Sequence, residues 1–383
     1  MKTNLRHLRV YLAAHDGGSV TRAAEAMRLS QPAVSQALGK LERLAGQPLF
    51  LRRGGLFPTA AGEALALRLR RAFGLLDPAL SDIAPRLVLT ATSAQLQALV
   101  ATCEAENFTL AARRMGMTQP SVHRAVSQLE QEAGQKLFAR TAFGLMPTRV
   151  AERLAMAARL AFAELDQAEA DLAELAGREV GAIVIGAMPL SRSFLLPRVL
   201  ARFRRVRPTL PVRVLDGPYA DLVSGLRRGE IDILIGALRD TPPAEDVIQK
   251  PLFQDDLMIV ARPGHPVLEN PASLARYPFV VGLAGTPGRQ AFDRLMAGFG
   301  TPPSLIETGS MILMREILAI TNHLGCISRL QIAAEIRLGA VVPVPVPMQG
   351  TSRIIGLTMR SDWLPTRAQS AFLDAIEAEL PGS

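Results

Sequence analysis

Cysteine is nearly missing from this chain. Cys103 and Cys326 are the only two in 383 residues, and their distance apart makes neither a disulfide framework nor a metal motif. Both read as small core residues. His7, His15, His123, His265 and His323 stand at no ligand spacing, and no Gly-rich phosphate loop or nucleophile elbow is present. Lys250, the only lysine after Lys136, lies in Gln249-Lys250-Pro251, a strand-edge context unlike a Schiff-base pocket. An enzyme is therefore not expected, and no cofactor or metal is. No apolar run approaches the roughly 20 residues of a bilayer span, and Met1 to His7 lead straight into an amphipathic helix with no signal-peptide core. These absences make the cytoplasm the default compartment and exclude a membrane partner. The length suggests two or three domains, and with 49% apolar residues each can bury a core.

What the chain does have is positive charge, unevenly spread. Of the net +8, a balance of +7 falls on residues 1–90, where thirteen Lys/Arg face six Asp/Glu. A surplus gathered on one segment is what phosphates select. Within that segment, Ser30 is an N-cap residue and Pro32 suits a first helical turn. Val34, Leu38, Leu41 and Leu44 mark an inward stripe. On the opposite face stand Gln31, Ser35, Gln36 and Lys40, groups able to meet base edges or phosphates in a major groove. Upstream, Ser19 caps a short helix, Val20 to Met27, and the turn Arg28-Leu29 joins the two, as in a helix-turn-helix. Downstream, Leu49 to Phe57 reads as a hairpin wing with Arg52 and Arg53 at its tip.

These residues resemble the amino-terminal winged helix-turn-helix of LysR-type transcriptional regulators. The matching pieces are Gly18-Ser19-Val20-Thr21-x-Ala23-Ala24, Ser30-Gln31-Pro32-Ala33-Val34-Ser35, Leu41-Glu42, Gly46, Leu49-Phe50 and Pro58-Thr59-x-x-Gly62. The expected DNA contacts in this segment are Ser19, Ser30, Gln31, Pro32, Ala33, Ser35, Gln36, Lys40, Arg52 and Arg53.

The segment then recurs. Shifted by 88 positions, residues 20–50 align with 108–138 at fifteen identities in thirty-one, and Pro58-Thr59 returns as Pro147-Thr148, so the second wing is one residue longer. Two tandem winged helix-turn-helix domains are predicted, at 1–63 and 91–148, a departure from the single copy of most family members. The copies differ on the outside: His123, Arg124 and Gln128 replace Ser35, Gln36 and Lys40, and the second wing, Arg140-Thr141-Ala142-Phe143-Gly144, keeps one arginine. Copy two is either a second reader, through Thr118, Gln119, Pro120, Ser121, His123, Arg124 and Arg140, or a scaffold that has lost most of its DNA contact.

A linker helix is expected over 64–90, interrupted at Pro78. A longer one spans 149–177, where Leu154, Ala158, Ala161, Leu165, Ala168, Leu172 and Leu175 keep the 4-3 spacing of a coiled-coil seam. The resemblance implies that this helix pairs two subunits in a homodimer or homotetramer; the alternative is a helix lying on its own sensor domain.

From Val180 onward the pattern alternates strand and helix, an α/β fold with mostly parallel sheets. Gly181-x-Ile183-x-Ile185-Gly186, Leu195-Leu196-Pro197, Gly229-Glu230-Ile231-Asp232 and Arg262-Pro263-Gly264-His265-Pro266 look like the effector-binding domain of the same family. The resemblance implies a two-lobed, periplasmic-binding-protein-like module over 178–383. The wording around Gly186 to Leu190 and Leu234 to Arg239 is similar to the galactose-binding-protein regulators. Ligands of such sheets bind beyond the carboxyl ends of strands, which selects Met188, Pro189, Ser191 and Ser193, faced by Tyr219, Leu283, Ala284, Gly285, Thr286, Ser310 and Met311. Sugar sites favour aromatic faces, and only Tyr219, Tyr277 and Trp363 offer an indole or phenol here. That argues for a small carboxylate over a sugar.

The expected function is a transcriptional regulator that binds promoter DNA and answers to a small-molecule effector. An architectural DNA binder with a vestigial sensor is the alternative, and it would leave the α/β half unemployed.

Overall fold

The computed structural model describes residues 4–52, 54–142 and 144–381, so Arg53 and Phe143 of the two expected wings lie outside the described residues. The chain forms two compact units, Met1–Ala182 and Ile183–Ser383.

The first unit opens with α1 (Leu5–Gly17), α2 (Val20–Met27) and α3 (Gln31–Ala45), followed by a hairpin of β1 (Phe50–Arg52) and β2 (Leu56–Pro58). Each helix start is set by a side chain: Asn4, Ser19 and Ser30 accept the N–H of His7, Arg22 and Ala33. Arg28, at φ 51°, turns α2 into α3. The inward stripe of α3 is Val34, Ala37, Leu38, Leu41 and Ala45. Leu44, expected on it, is 54% exposed. At about 100° per residue, eleven steps return to the starting face and ten do not, so Ala45 faces inward in its place.

The same order repeats as α6 (Ser93–Ala105), α7 (Phe108–Met115), α8 (Gln119–Ala133), β3 (Phe138–Thr141) and β4 (Gly144–Pro147). Phe50 pairs with Pro58, whereas Phe138 pairs with Pro147, so the second hairpin is one residue longer. Between the copies run α4 (Ala60–Ser81) and the short α5 (Leu87–Thr90); α9 (Arg149–Leu175) follows the second. Pro78 does not interrupt α4. A missing N–H there removes one bond, to the Gly74 carbonyl, while Leu76 and Leu80 on either side stay buried.

The inner face of α9 corrects a second expectation. Leu154, Ala158, Ala161, Leu165, Ala168 and Leu172 are buried within the single chain. They belong to one core with Leu65, Leu69, Ala72 and Leu76 of α4, along which α9 packs. The seam assigned to a second subunit is filled by this chain's own α4.

The second unit holds two five-stranded sheets. The first has the order β6-β5-β7-β14-β8, with β5 (Ile183–Ala187), β6 (Val212–Leu215), β7 (Ile233–Ala237), β8 (Val247–Asp255) and β14 (Arg353–Arg360). The second has the order β11-β10-β12-β9-β13, with β9 (Leu257–Ala261), β10 (Phe279–Val281), β11 (Leu305–Glu307), β12 (Leu324–Ser328) and β13 (Val342–Pro343). Each sheet is mixed: β6, β5 and β7 run parallel, as do β11, β10 and β12, while β14, β8, β9 and β13 pair antiparallel. The antiparallel strands are those next to the two crossings between lobes, at Asp255 to Leu257 and at Pro343 to Arg353, which the expectation of mostly parallel sheets left out. The first lobe carries α10 (Leu196–Val206), α11 (Tyr219–Arg227) and α15 (Arg367–Glu377), and the second α12 (Pro287–Met296), α13 (Met311–Ile320) and α14 (Ala333–Arg337). Buried clusters cover both faces of each sheet.

Two family-like motifs resolve as framework. The Asp232 carboxylate accepts the Val184 N–H at 2.8 Å, tying β7 to β5. His265 accepts the Val267 N–H at 3.0 Å, lies 3.1 Å from the Asn322 carbonyl and stacks edge-on with Tyr277, closing a corner of the second lobe.

Candidate DNA interface and ligand cleft

The outward face of α3 carries Gln31, Pro32, Ser35, Gln36 and Lys40, all exposed, with Ala33 half-buried among them. Ser30 and Ser19 spend their hydroxyls as caps, so what they offer a partner is the helix start itself. The field is cationic: burial first, then Lys40 and Arg6, hold the His7 imidazole below its usual value. Beside this face the wing is tied to α3 by Glu42, whose carboxylate accepts the N–H groups of Leu49 at 3.1 Å and Phe50 at 3.3 Å. Arg52 lies on the strand, its exposed guanidinium 3.3 Å from Glu42.

On copy two, Thr118, Gln119, Pro120, His123, Arg124 and Arg140 are exposed and Ser121 is half-buried. Thr118 bonds the Ser121 hydroxyl at 2.8 Å in place of a backbone cap. The His123 ring packs edge-on against Phe108 at 5.0 Å. Glu130 repeats the anchor of Glu42, accepting the N–H of Leu137 at 2.9 Å and Phe138 at 3.3 Å.

In the second unit a cavity of about 790 Å³ opens between the lobes. Of the residues predicted there, Met188, Pro189, Ser193, Tyr219, Leu283, Thr286, Ser310 and Met311 line it. Ser191 does not: it is fully buried, and its hydroxyl donates to the carbonyls of Met188 at 2.7 Å and Ile235 at 3.2 Å. Ala284 and Gly285 lie outside the lining as part of a turn, where the Ala284 N–H is taken by Glu307.

Sequence reasoning missed the cations. Arg192, Arg239 and Arg353 all line the cleft, against one lining carboxylate, Asp216, which pairs with Arg192. Arg353 is 3.0 Å from buried Asp255, which also accepts the Ser328 hydroxyl at 2.7 Å. Desolvation pushes the Asp255 carboxyl up, against the pull of Arg353. The Arg239 guanidinium lies 4.3 Å over the Tyr219 ring, and among the described residues it pairs with no carboxylate. The signal was available, since Arg239 follows a strand end, where ligands gather. The first residues of helices α11, α12 and α13 all line the cavity, placing three positive helix-dipole ends at its wall. Cys326 adds no reactive group, because burial pushes its thiol up to about 12.

A helix-turn-helix fold and a two-lobed binding module in one chain define a ligand-responsive DNA-binding protein. The comparisons with known proteins agree. The LysR substrate binding domain model matches residues 176–381. The model for the bacterial regulatory helix-turn-helix protein, lysR family, matches residues 5–63 and 93–172. The chain belongs to the LysR family. It is a DNA-binding transcriptional regulator with an effector-binding domain, and not an enzyme. Among curated relatives, the HTH-type transcriptional regulator GalR of Pseudomonas putida is 34% identical, covering 97% of this chain and 96% of that protein. YdcI of Escherichia coli, an uncharacterized HTH-type transcriptional regulator, is 28% identical over 75% of this chain and 95% of its own. Of solved structures, ArgP from Mycobacterium tuberculosis is similar at TM-score 0.57 and 18% identity, covering 75% of this chain and 97% of that one. A full-length OxyR variant from Pseudomonas aeruginosa is similar at 0.55 and 21%, covering 76% and 97%. These two likenesses concern the fold. Among the described residues, no helix is long and apolar enough to cross a membrane.

Proposed function

We propose that the chain carries two unequal DNA-reading heads and a cleft for an anionic effector, and that it works in the cytoplasm on promoter DNA. The observation that carries the first part is the exposed polar face of α3, backed by a buried apolar one and flanked by an anchored wing. Ser35 and Gln36 read base edges, Gln31 sets the helix start on the duplex, and Lys40 and Arg52 meet phosphates. The second head, through Gln119, His123, Arg124 and Arg140, holds the duplex more weakly. That GalR matches along 97% of this chain supports two heads as a feature shared with a relative. Any assembly into a homodimer or tetramer uses surfaces other than the buried face of α9.

For the effector, the converging helix starts and Arg239 favour a small carboxylate. The likeness to galactose-binding-protein regulators would admit a sugar, but Tyr219 is the one indole or phenol face on the cleft wall, and Arg239 covers it. Effector binding shifts the heads' affinity for DNA by about 1–3 kcal/mol, an ordinary coupling. A thermal-shift screen of small carboxylates and neutral sugars tests this. Stabilisation by carboxylates that disappears in Arg239→Ala is expected; stabilisation by sugars alone overturns the anionic reading, and none by any metabolite restores the architectural one.

A further inference from the structure

We propose that α4 and α9 clamp the two heads of one chain together in cis, so that a single chain presents the two-headed unit that helix-turn-helix proteins otherwise build from two chains. This rests on reading both copies as DNA-binding heads. The repeat does not stop at the wings: Leu65, Ala72, Phe73 and Leu76 recur 89 positions on as Leu154, Ala161, Phe162 and Leu165. The two helices therefore bring like faces to one seam. They run antiparallel, because Arg68 reaches Gln167 at 2.6 Å and Asp171 at 2.8 Å while Arg71, further along α4, reaches back to Glu164 at 2.9 Å. Phe73 and Phe162 fall at the middle of that register, where a two-fold axis would pass.

The ends are exchanged as well. Arg86, after α4, donates to the Glu132 carbonyl at the end of α8, and Arg178, after α9, lies beside Gly46 at the end of α3.

Charge makes the pairing selective for unlike helices. Arg68 is 2% exposed and is also 3.1 Å from buried Glu164. Under the repeat, Arg68 corresponds to Ala157, Glu164 to Leu75, Gln167 to Pro78 and Asp171 to Asp82. An α4–α4 seam of this geometry would leave each arginine Asp82 alone, with Leu75 and Pro78 where Glu164 and Gln167 now stand, and an α9–α9 seam would bury Glu164 against Ala157. A buried charge without its partner is strongly destabilising. The remaining competitor is α4 of one chain on α9 of another.

Hydrogen exchange on the full chain separates them. Protection of α4 and α9 is expected to stay constant over a hundredfold dilution; protection that falls on dilution overturns the cis clamp. Arg68→Glu is expected to speed exchange in both helices by roughly a hundredfold. Glu164→Gln with Asp171→Arg, which gives the new carboxylate at position 68 a cation without setting a second arginine against Arg71, restores protection when placed on the same chain as Arg68→Glu. Restoration by mixing the two variants as separate chains overturns the proposal. Footprinting adds the reading of the heads: a chain whose seam passes the exchange test but protects one half-site refutes the second head as a DNA reader and leaves the clamp standing.

Discussion

The two heads share their inside and differ on their outside. Glu42 and Glu130 hold equivalent wings by the same pair of backbone N–H groups. Ala23, Ala24, Val34 and Leu41 are buried in one copy, as are Ala111, Ala112, Val122 and Leu129 in the other. The outward positions changed: Ser35, Gln36 and Lys40 became His123, Arg124 and Gln128. One interior pair changed together. Tyr11 donates its hydroxyl to the Gly62 carbonyl at 2.8 Å, and a Cβ on Gly62 would fall 2.2 Å from the Leu49 carbonyl oxygen. In copy two the corresponding residues are Leu99 and Ala151, both fully buried. A packed interior resists single changes, because each is felt by its neighbours, whereas an exposed face is free to follow its partner. The two copies thus keep like frames and carry unlike outer faces.

The sharpest way to break that contrast is on the reading faces. Ser35→Ala with Gln36→Ala is expected to cost about 2–5 kcal/mol of specific affinity, at the usual worth of base contacts. His123→Ala with Arg124→Ala is expected to cost less than about 1 kcal/mol at the same salt. Titration of labelled upstream DNA checks both, and equal losses would show that the heads read alike. Next in size is the coupled interior pair. Gly62→Ala should destabilise the first unit by about 1–3 kcal/mol through overpacking, while Ala151→Gly should cost about 0.5–1 kcal/mol through backbone entropy; thermal melting of the full chain gives the order. On the wings, Arg52→Ala should flatten the salt dependence of DNA binding by about one phosphate contact, and Arg140→Ala by less. A larger effect at Arg140 would reverse the ranking.

The smallest expected effect concerns pH. Burial opposes ionisation of Glu130, but hydrogen bonds from Lys136, Leu137 and Phe138 overcome it and hold the carboxyl below its usual value of 4.5. Its folded value lying below its unfolded one, the anchor's contribution is complete above pH 4.5 and fades as pH falls through the folded value. Protection of the Leu137 and Phe138 amides, relative to their intrinsic exchange rates at each pH, should therefore fall on acidification, and at higher pH in Lys136→Ala than in the native chain. Unchanged onset would remove Lys136 from the anchor.

Much of the first unit was legible because capping residues and helical spacing are local: Ser19, Ser30 and Pro32 announce helix starts without reference to anything distant. Periodicity in α9 named the buried face correctly but not its occupant, since a 4-3 repeat is the same whether the partner helix belongs to this chain or another. In the second unit Pro251 marked only a strand edge, yet β8 runs through it as the edge strand of its sheet; the irregular register opposite, between Ile355 and Gly356, is where the sheet accommodates a residue without an N–H. The cleft was found in outline from strand ends. Its cations were not, because Arg192, Arg239 and Arg353 come together only through tertiary folding, and Ser191 looked like a ligand group until its hydroxyl was seen facing carbonyls.

Protection of the chain's own upstream DNA, followed in steps of rising salt, tests the unequal-heads account most directly. The account predicts two adjoining protected stretches: one that loses its sequence preference when Ser35 and Gln36 are changed, and a weaker one that fades first with salt. Equal stretches with equal salt dependence, or none at moderate ionic strength, would contradict it.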